Sequence, residues 1–169
     1  FRLQLRAVRR VFEAGWTNLR LMLPFVRSVS ELLACREILC EEGVDNIPLW
    51  LMVEVPSVVF LIERFLSLVD GVSIGTNDLT QLVLGVDRDN PRLIPLWDEQ
   101  DEAVRCAVER VARACREQAM ECCVCGDAPS RRPEMAASLL QLGVTSLSVS
   151  PDAFERTARI VREIESRFT

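Results

Sequence analysis

The feature that most restricts this chain is a recurring pair, a short apolar run followed by a segment with helical period. LRLMLPF precedes VSELLACREILCEEG, LWLMVEV precedes PSVVFLIERFLSL, GVSIG precedes DLTQLVLG, MECCVCG precedes RPEMAASLLQLG, and SLSVS precedes PDAFERTARIVREIESR. Strands that are apolar throughout, each followed by a helix, belong to a parallel sheet covered on both faces. The predicted fold class is α/β. Two further helices are expected over LQLRAVRRVFEAG, closing at Gly15, and over EAVRCAVERVARACREQ. Ser28 or Ser30 suits a helix cap, Gly43 a helix end, and Ser150 with Pro151 the start of the last helix. VDRDNPRLIPLWDEQ is the long irregular stretch.

Such βα units could form a complete doubly wound sheet or five-eighths of a (β/α)8 barrel. The chain opens on FRLQLRAV, without Met and inside a helical pattern, so it is expected to be part of something longer. Its 169 residues, 49% of them hydrophobic, are enough for one domain with a sizeable core. A formal net charge of −5 does not suit attraction to a phosphate backbone, so nucleic acid is not an expected partner. No apolar run reaches the roughly 18 residues that span a bilayer, and no secretory signal is visible, so the expected location is cytoplasmic. Cys35, Cys40, Cys106 and Cys115 fall within amphipathic helical patterns and are expected to act as buried small hydrophobes. Cys122, Cys123 and Cys125 lack a second CxxC pair and the chain has no His, which argues against zinc.

Polar groups gather at the carboxyl ends of the predicted strands: Arg27, Glu54, Asn77 with Asp78, Cys125, and Ser150. In parallel α/β folds those ends share one face, and ligands bind there in barrels and open sheets alike. Glu54 and Asp78 are hard oxygen donors suited to Mg²⁺, which takes one or two carboxylates and completes its shell with water and substrate. Asn77 and the backbone amides of Gly75 and Thr76 lie where a strand turns into a helix N-terminus, a natural anion site. Arg88, in GVDRDN, can add bidentate contacts to a phosphate or carboxylate. Cys125, followed by Gly126, offers a thiol as proton donor or nucleophile. Taken singly, Asn77 or Asp78 could simply cap a helix, and Glu54 could be a solvated strand end. Together, a metal, an anion cradle and one acid suggest enolate chemistry on a small phosphorylated acid.

SIGTNDLTQ, with MVEVPS before it and VDRD and CVCGDAPS after it, resembles the barrel domain of the phosphoenolpyruvate-utilising enzymes, and the likeness covers nearly the whole chain. Within that family MLPFVRSVSE, LWDEQDEAV, CGDAPSRRPE and GVTSLSVSPD are most similar to the phosphoenolpyruvate synthases. The resemblance implies the C-terminal part of a (β/α)8 TIM barrel, its strands four to eight, over residues 1–169. It implies Glu54 and Asp78 as Mg²⁺ ligands and Glu54, Gly75, Thr76, Asn77, Asp78 and Arg88 as residues binding pyruvate or phosphoenolpyruvate. Cys125 would be the acid that protonates the enolate. Asp127 and Ala128 depart from the commonest family wording after Cys-Gly. The implied partners are phosphohistidine and nucleotide-binding domains outside this chain and a second copy in a homodimer, with no nucleic acid and no membrane. The implied reaction converts pyruvate, ATP and water to phosphoenolpyruvate, AMP and phosphate. Alternatives are the barrel of pyruvate phosphate dikinase or of the phosphotransferase-system enzyme I, or a non-catalytic binding or dimerisation module.

Overall fold

The computed structural model describes residues 1–132 and 134–166. In chain order the elements are α1 (Arg2–Glu13), β1 (Leu21–Leu23), α2 (Val29–Glu41), β2 (Leu49–Val53), α3 (Pro56–Phe60), α4 (Ile62–Leu66), β3 (Gly71–Gly75) and α5 (Thr76–Leu84). Then come α6 (Glu102–Glu117), β4 (Glu121–Cys125), α7 (Ala128–Arg131), α8 (Glu134–Gln141), β5 (Ser146–Leu147) and α9 (Phe154–Glu165). Short 3₁₀ turns cover Ile94–Leu96 and Pro151–Ala153. The five strands form one parallel sheet in the order β1-β2-β3-β4-β5. That order has no reversal, so the sheet lacks the switch point of a doubly wound fold and is consistent with an arc of a barrel.

The register explains how apolar strands make two different faces. Leu51, Val72 and Cys122 pair across β2, β3 and β4, as do Val53, Ile74 and Val124, and all six are fully buried in the core. Leu32, Ile62, Phe65 and Val111 from the helices close over them. Each such side chain contributes about 1.5–3 kcal/mol by leaving water. The alternate positions carry Trp50, Met52 and Glu54 on β2 and its end, Gly71, Ser73 and Gly75 on β3, and Glu121, Cys123 and Cys125 on β4. The small residues of β3 let the β2 side chains lean across. A Cβ on Gly71 would come within 2.4 Å of the Trp50 ring, and one on Gly75 within 2.9 Å of Glu54 Oε2.

Several boundaries differ from the sequence expectation. The helix expected over PSVVFLIERFLSL is split at Leu61, where Arg110 of α6 donates to the carbonyls of Val59 at 2.8 Å and Phe60 at 3.1 Å. Those bonds satisfy carbonyls that the break leaves free. α5 begins at Thr76, ahead of the expected Asp78, and an extra turn, α7, follows Asp127. The last helix opens as a 3₁₀ turn after Ser150. Ser28 does cap α2, its Oγ accepting from Glu31 N at 3.2 Å. Cys115 is buried as expected and Cys35 partly so, but Cys40 and Cys106 are exposed, because they fall on the solvent-facing stripes of α2 and α6. Pro133 and Arg167, at the ends of two expected helices, lie outside the described residues. Among the described residues no helix is long and apolar enough to cross a membrane.

Candidate active site

The site forms where β2, β3 and β4 end side by side. Glu54, one residue past β2, is 4% exposed. Its Oε1 accepts the backbone N–H of Phe25, from the loop after β1, at 2.7 Å. Its Oε2 lies over Gly75, in space that only a missing side chain leaves open. Burial pushes the Glu54 carboxyl above the usual range; the Phe25 N–H counteracts this, and the negative charge of Asp78 adds to it.

Thr76, Asn77 and Asp78 form the first turn of α5. The cap is the backbone of Gly75, and no side chain bonds to the helix end. Capping therefore does not account for Asn77 or Asp78. Asn77 Oδ1 instead accepts from Asp127 N at 3.1 Å, across to the loop after β4. Asp78 pairs with Arg88 at 3.8 Å, both groups partly exposed. Arg88 is held near α5 through its backbone N–H, which donates to Gln81 Oε1 at 3.2 Å.

Cys125 ends β4, and Ser73 Oγ donates to its Sγ at 3.2 Å. Burial raises the thiol above its ordinary range, against the opposing effect of the Ser73 bond, so the group is a protonated thiol at neutral pH. Gly126 follows at a φ of 134°, and a Cβ there would fall 2.1 Å from Thr76 Oγ1. Only glycine fits that close approach.

Glu54, Gly75, Thr76, Asn77, Asp78, Arg88 and Cys125 are thus gathered around adjacent strand ends. Thr76 differs from the others in direction: its side chain is buried, donating to Glu99 Oε1 at 2.5 Å and lying 3.3 Å from the Cys125 carbonyl. Its backbone N–H, not its hydroxyl, is what the first turn offers a ligand. Arg27, in the loop before α2, is engaged with Glu31 in the first turn of that helix. The Ser150 N–H donates to Ser130 Oγ at 2.9 Å, outside this group.

Sequence reasoning overlooked Ser73, Glu99 and Phe25. Ser73 had a signal, a lone hydroxyl in an apolar strand. Glu99 and Phe25 had none, since each acts through a partner distant in sequence.

A family profile described as "PEP-utilising enzyme, PEP-binding domain" matches residues 1–166. The chain belongs to the PEP-utilising enzyme family. It is 45% identical to a phosphoenolpyruvate synthase of Aeropyrum pernix, over 99% of this chain and 21% of that protein. It is 41% identical to one of Helicobacter pylori, over 90% of this chain and 19% of that protein. With one of Escherichia coli the identity is 38%, over 98% of this chain and 22% of that protein. This PEP-binding domain therefore spans about a fifth of the length of the curated relatives it matches.

The donor set fits Mg²⁺. Among the described residues no three His, Cys, Asp or Glu side chains converge to cage a metal. Two carboxylates at neighbouring strand ends, one with an uncommitted oxygen, are what a magnesium ion needs when substrate and water supply the rest.

Proposed function

We propose that this PEP-binding domain holds strands four to eight of a (β/α)8 barrel and forms the pyruvate and phosphoenolpyruvate site of a phosphoenolpyruvate synthase. The complete cytoplasmic enzyme would be a phosphotransferase converting pyruvate, ATP and water to phosphoenolpyruvate, AMP and phosphate. The observation that carries this reading is the placement of Glu54, Asp78 and the Cys125 thiol on three adjacent strand ends. The names of the relatives support the product.

Glu54 and Asp78 would hold Mg²⁺. When bound, the metal supplies positive charge that makes the methyl protons of pyruvate acidic. Asn77, the first-turn amides of α5 and Arg88 would orient the anionic substrate. Cys125, as the thiol, would give its proton to the enolate carbon in the pyruvate-forming direction, leaving a thiolate that keeps the bond from Ser73; the synthetic direction would start from that thiolate, which takes the methyl proton and becomes the thiol again. The chain contains no His, so the phosphohistidine and nucleotide domains would be partners outside it, as would a second copy in a homodimer.

The test is Cys125→Ala in the complete protein. Phosphoenolpyruvate formation should be lost while the distant histidine is still phosphorylated by ATP. Normal turnover would remove Cys125 from the mechanism. A non-catalytic binding module is the rival reading, and it predicts no Mg²⁺-dependent exchange of pyruvate methyl protons with deuterium in the wild-type protein.

A further inference from the structure

Glu99 sits in the irregular stretch between α5 and α6, yet its carboxylate reaches both loops that carry the candidate site. Oε1 accepts from Thr76 Oγ1 at 2.5 Å, at the start of α5. The backbone of Ala128, at the start of α7, is among the neighbours that draw the Glu99 carboxyl down against its burial. The same Thr76 hydroxyl lies 3.3 Å from the carbonyl of Cys125 and against the bare Cα of Gly126. A short bond between a hydroxyl and a carboxylate is among the stronger hydrogen bonds available to a protein. Glu99 therefore ties the turn bearing Asn77 and Asp78 to the turn bearing Cys125, from the side that faces α6 and α8. On that side it borders a cavity of about 410 Å³, whose lining includes Val108, Leu139 and Leu142 but none of Glu54, Asp78 or Cys125.

We infer that Glu99 is a positioning residue, which acts through the Thr76 hydroxyl to set where Cys125 stands relative to Asn77 and Asp78. The catalytic half of this inference rests on the function proposed above; the structural half does not. Burial pushes the Glu99 carboxyl up and the Thr76 bond draws it back, as expected for a buried acceptor retained for its partners. Displacements of about 1 Å at a reacting group can lower a rate on the order of a hundredfold, so a clamp of this kind is felt in kcat before KM.

The experiment compares Glu99→Ala, Glu99→Gln, Thr76→Val and Thr76→Ser in the complete protein. One readout is the iodoacetamide alkylation rate of Cys125 relative to exposed Cys40 and Cys106; the other is kcat and KM for pyruvate. Glu99→Ala and Thr76→Val should each change Cys125 alkylation about fivefold or more and lower kcat at least tenfold, with KM little altered. Their combination should be no worse than either alone. Thr76→Ser, which keeps the hydroxyl, should retain the wild-type rate of Cys125 alkylation, and Glu99→Gln, which keeps one acceptor, should fall between. Unchanged alkylation in Thr76→Val and Glu99→Gln overturns the inference, and this arm decides it even if Glu99→Ala does not fold. A wild-type protein inactive on pyruvate refutes the proposed function, and alkylation still decides the clamp.

Discussion

The backbone N–H of Phe25 donates to Oε1 of Glu54 at 2.7 Å, and Phe25 makes that bond at a φ of 55°. The left-handed conformation costs a residue with a side chain about 1 kcal/mol. The Phe25 ring is exposed, so burying it is not what holds the strained turn in place. The carboxylate bond is the identifiable restraint. Phe25→Gly should keep the N–H, relieve the strain and leave melting unchanged or higher. In Glu54→Ala, by contrast, hydrogen exchange at the Phe25 amide should quicken about tenfold, the loss of one charge-assisted bond. Equal exchange in all three proteins would show that the bond does not restrain the loop.

Glu54→Gln and Asp78→Asn should each weaken Mg²⁺ binding at least tenfold and weaken pyruvate binding with it, as titration calorimetry would read. The raised Glu54 carboxyl adds a pH signature. Its contribution to metal-free stability is present below its unfolded pKa and lost as pH rises through the folded one. Glu54→Gln should therefore raise the metal-free Tm at neutral pH, with the gain fading in acid, while abolishing the stabilisation by Mg²⁺. A variant that titrates with metal like wild type would exclude that residue as a ligand.

Gly126→Ala places a Cβ 2.1 Å from Thr76 Oγ1 at a φ of 134°. The backbone cost alone is about 1–3 kcal/mol, and the contact forces Thr76 and the β4 turn apart. Urea unfolding should show the loss, and Cys125 should lose its bond from Ser73. A variant as stable as wild type would mean that the turn relaxes freely.

Arg110→Ala removes two donors from the carbonyls at the α3–α4 break and should destabilise the fold by about 1–2 kcal/mol. Arg110→Lys should not restore it, because an ammonium lacks the planar fork that reaches both carbonyls. Full rescue by lysine would assign the effect to charge, through Glu63, instead of geometry.

β1 and β5 each pair on one side only within the described sheet. Open edges recruit further strands, so the isolated chain should self-associate, and Met22→Lys on β1 should reduce this. Light scattering that reports a monomer at every concentration would contradict the prediction.

The parallel α/β class, the strands and most helices were legible because their signals are local. The apolar runs became β1 to β5, Ser28 capped α2 as its sequence suggested, and Gly43 and Gly85 took the positive φ that ends a helix. The helix break at Leu61 was not legible, since the group that satisfies its freed carbonyls is an arginine on a different helix. Cys40 and Cys106 were misjudged because helical period alone does not reveal which stripe meets the sheet.

The sequence by itself determined which chemical groups stand at strand ends, because strand length and helix onset depend on near neighbours. Tertiary structure decided how those groups face one another. Ser73 reaches Cys125, Phe25 reaches Glu54, and Thr76 meets Glu99 and the bare Cα of Gly126. Each contact joins different strand ends or loops, so it exists only once register and tilt bring them within about 3 Å, the range in which a hydrogen bond has strength.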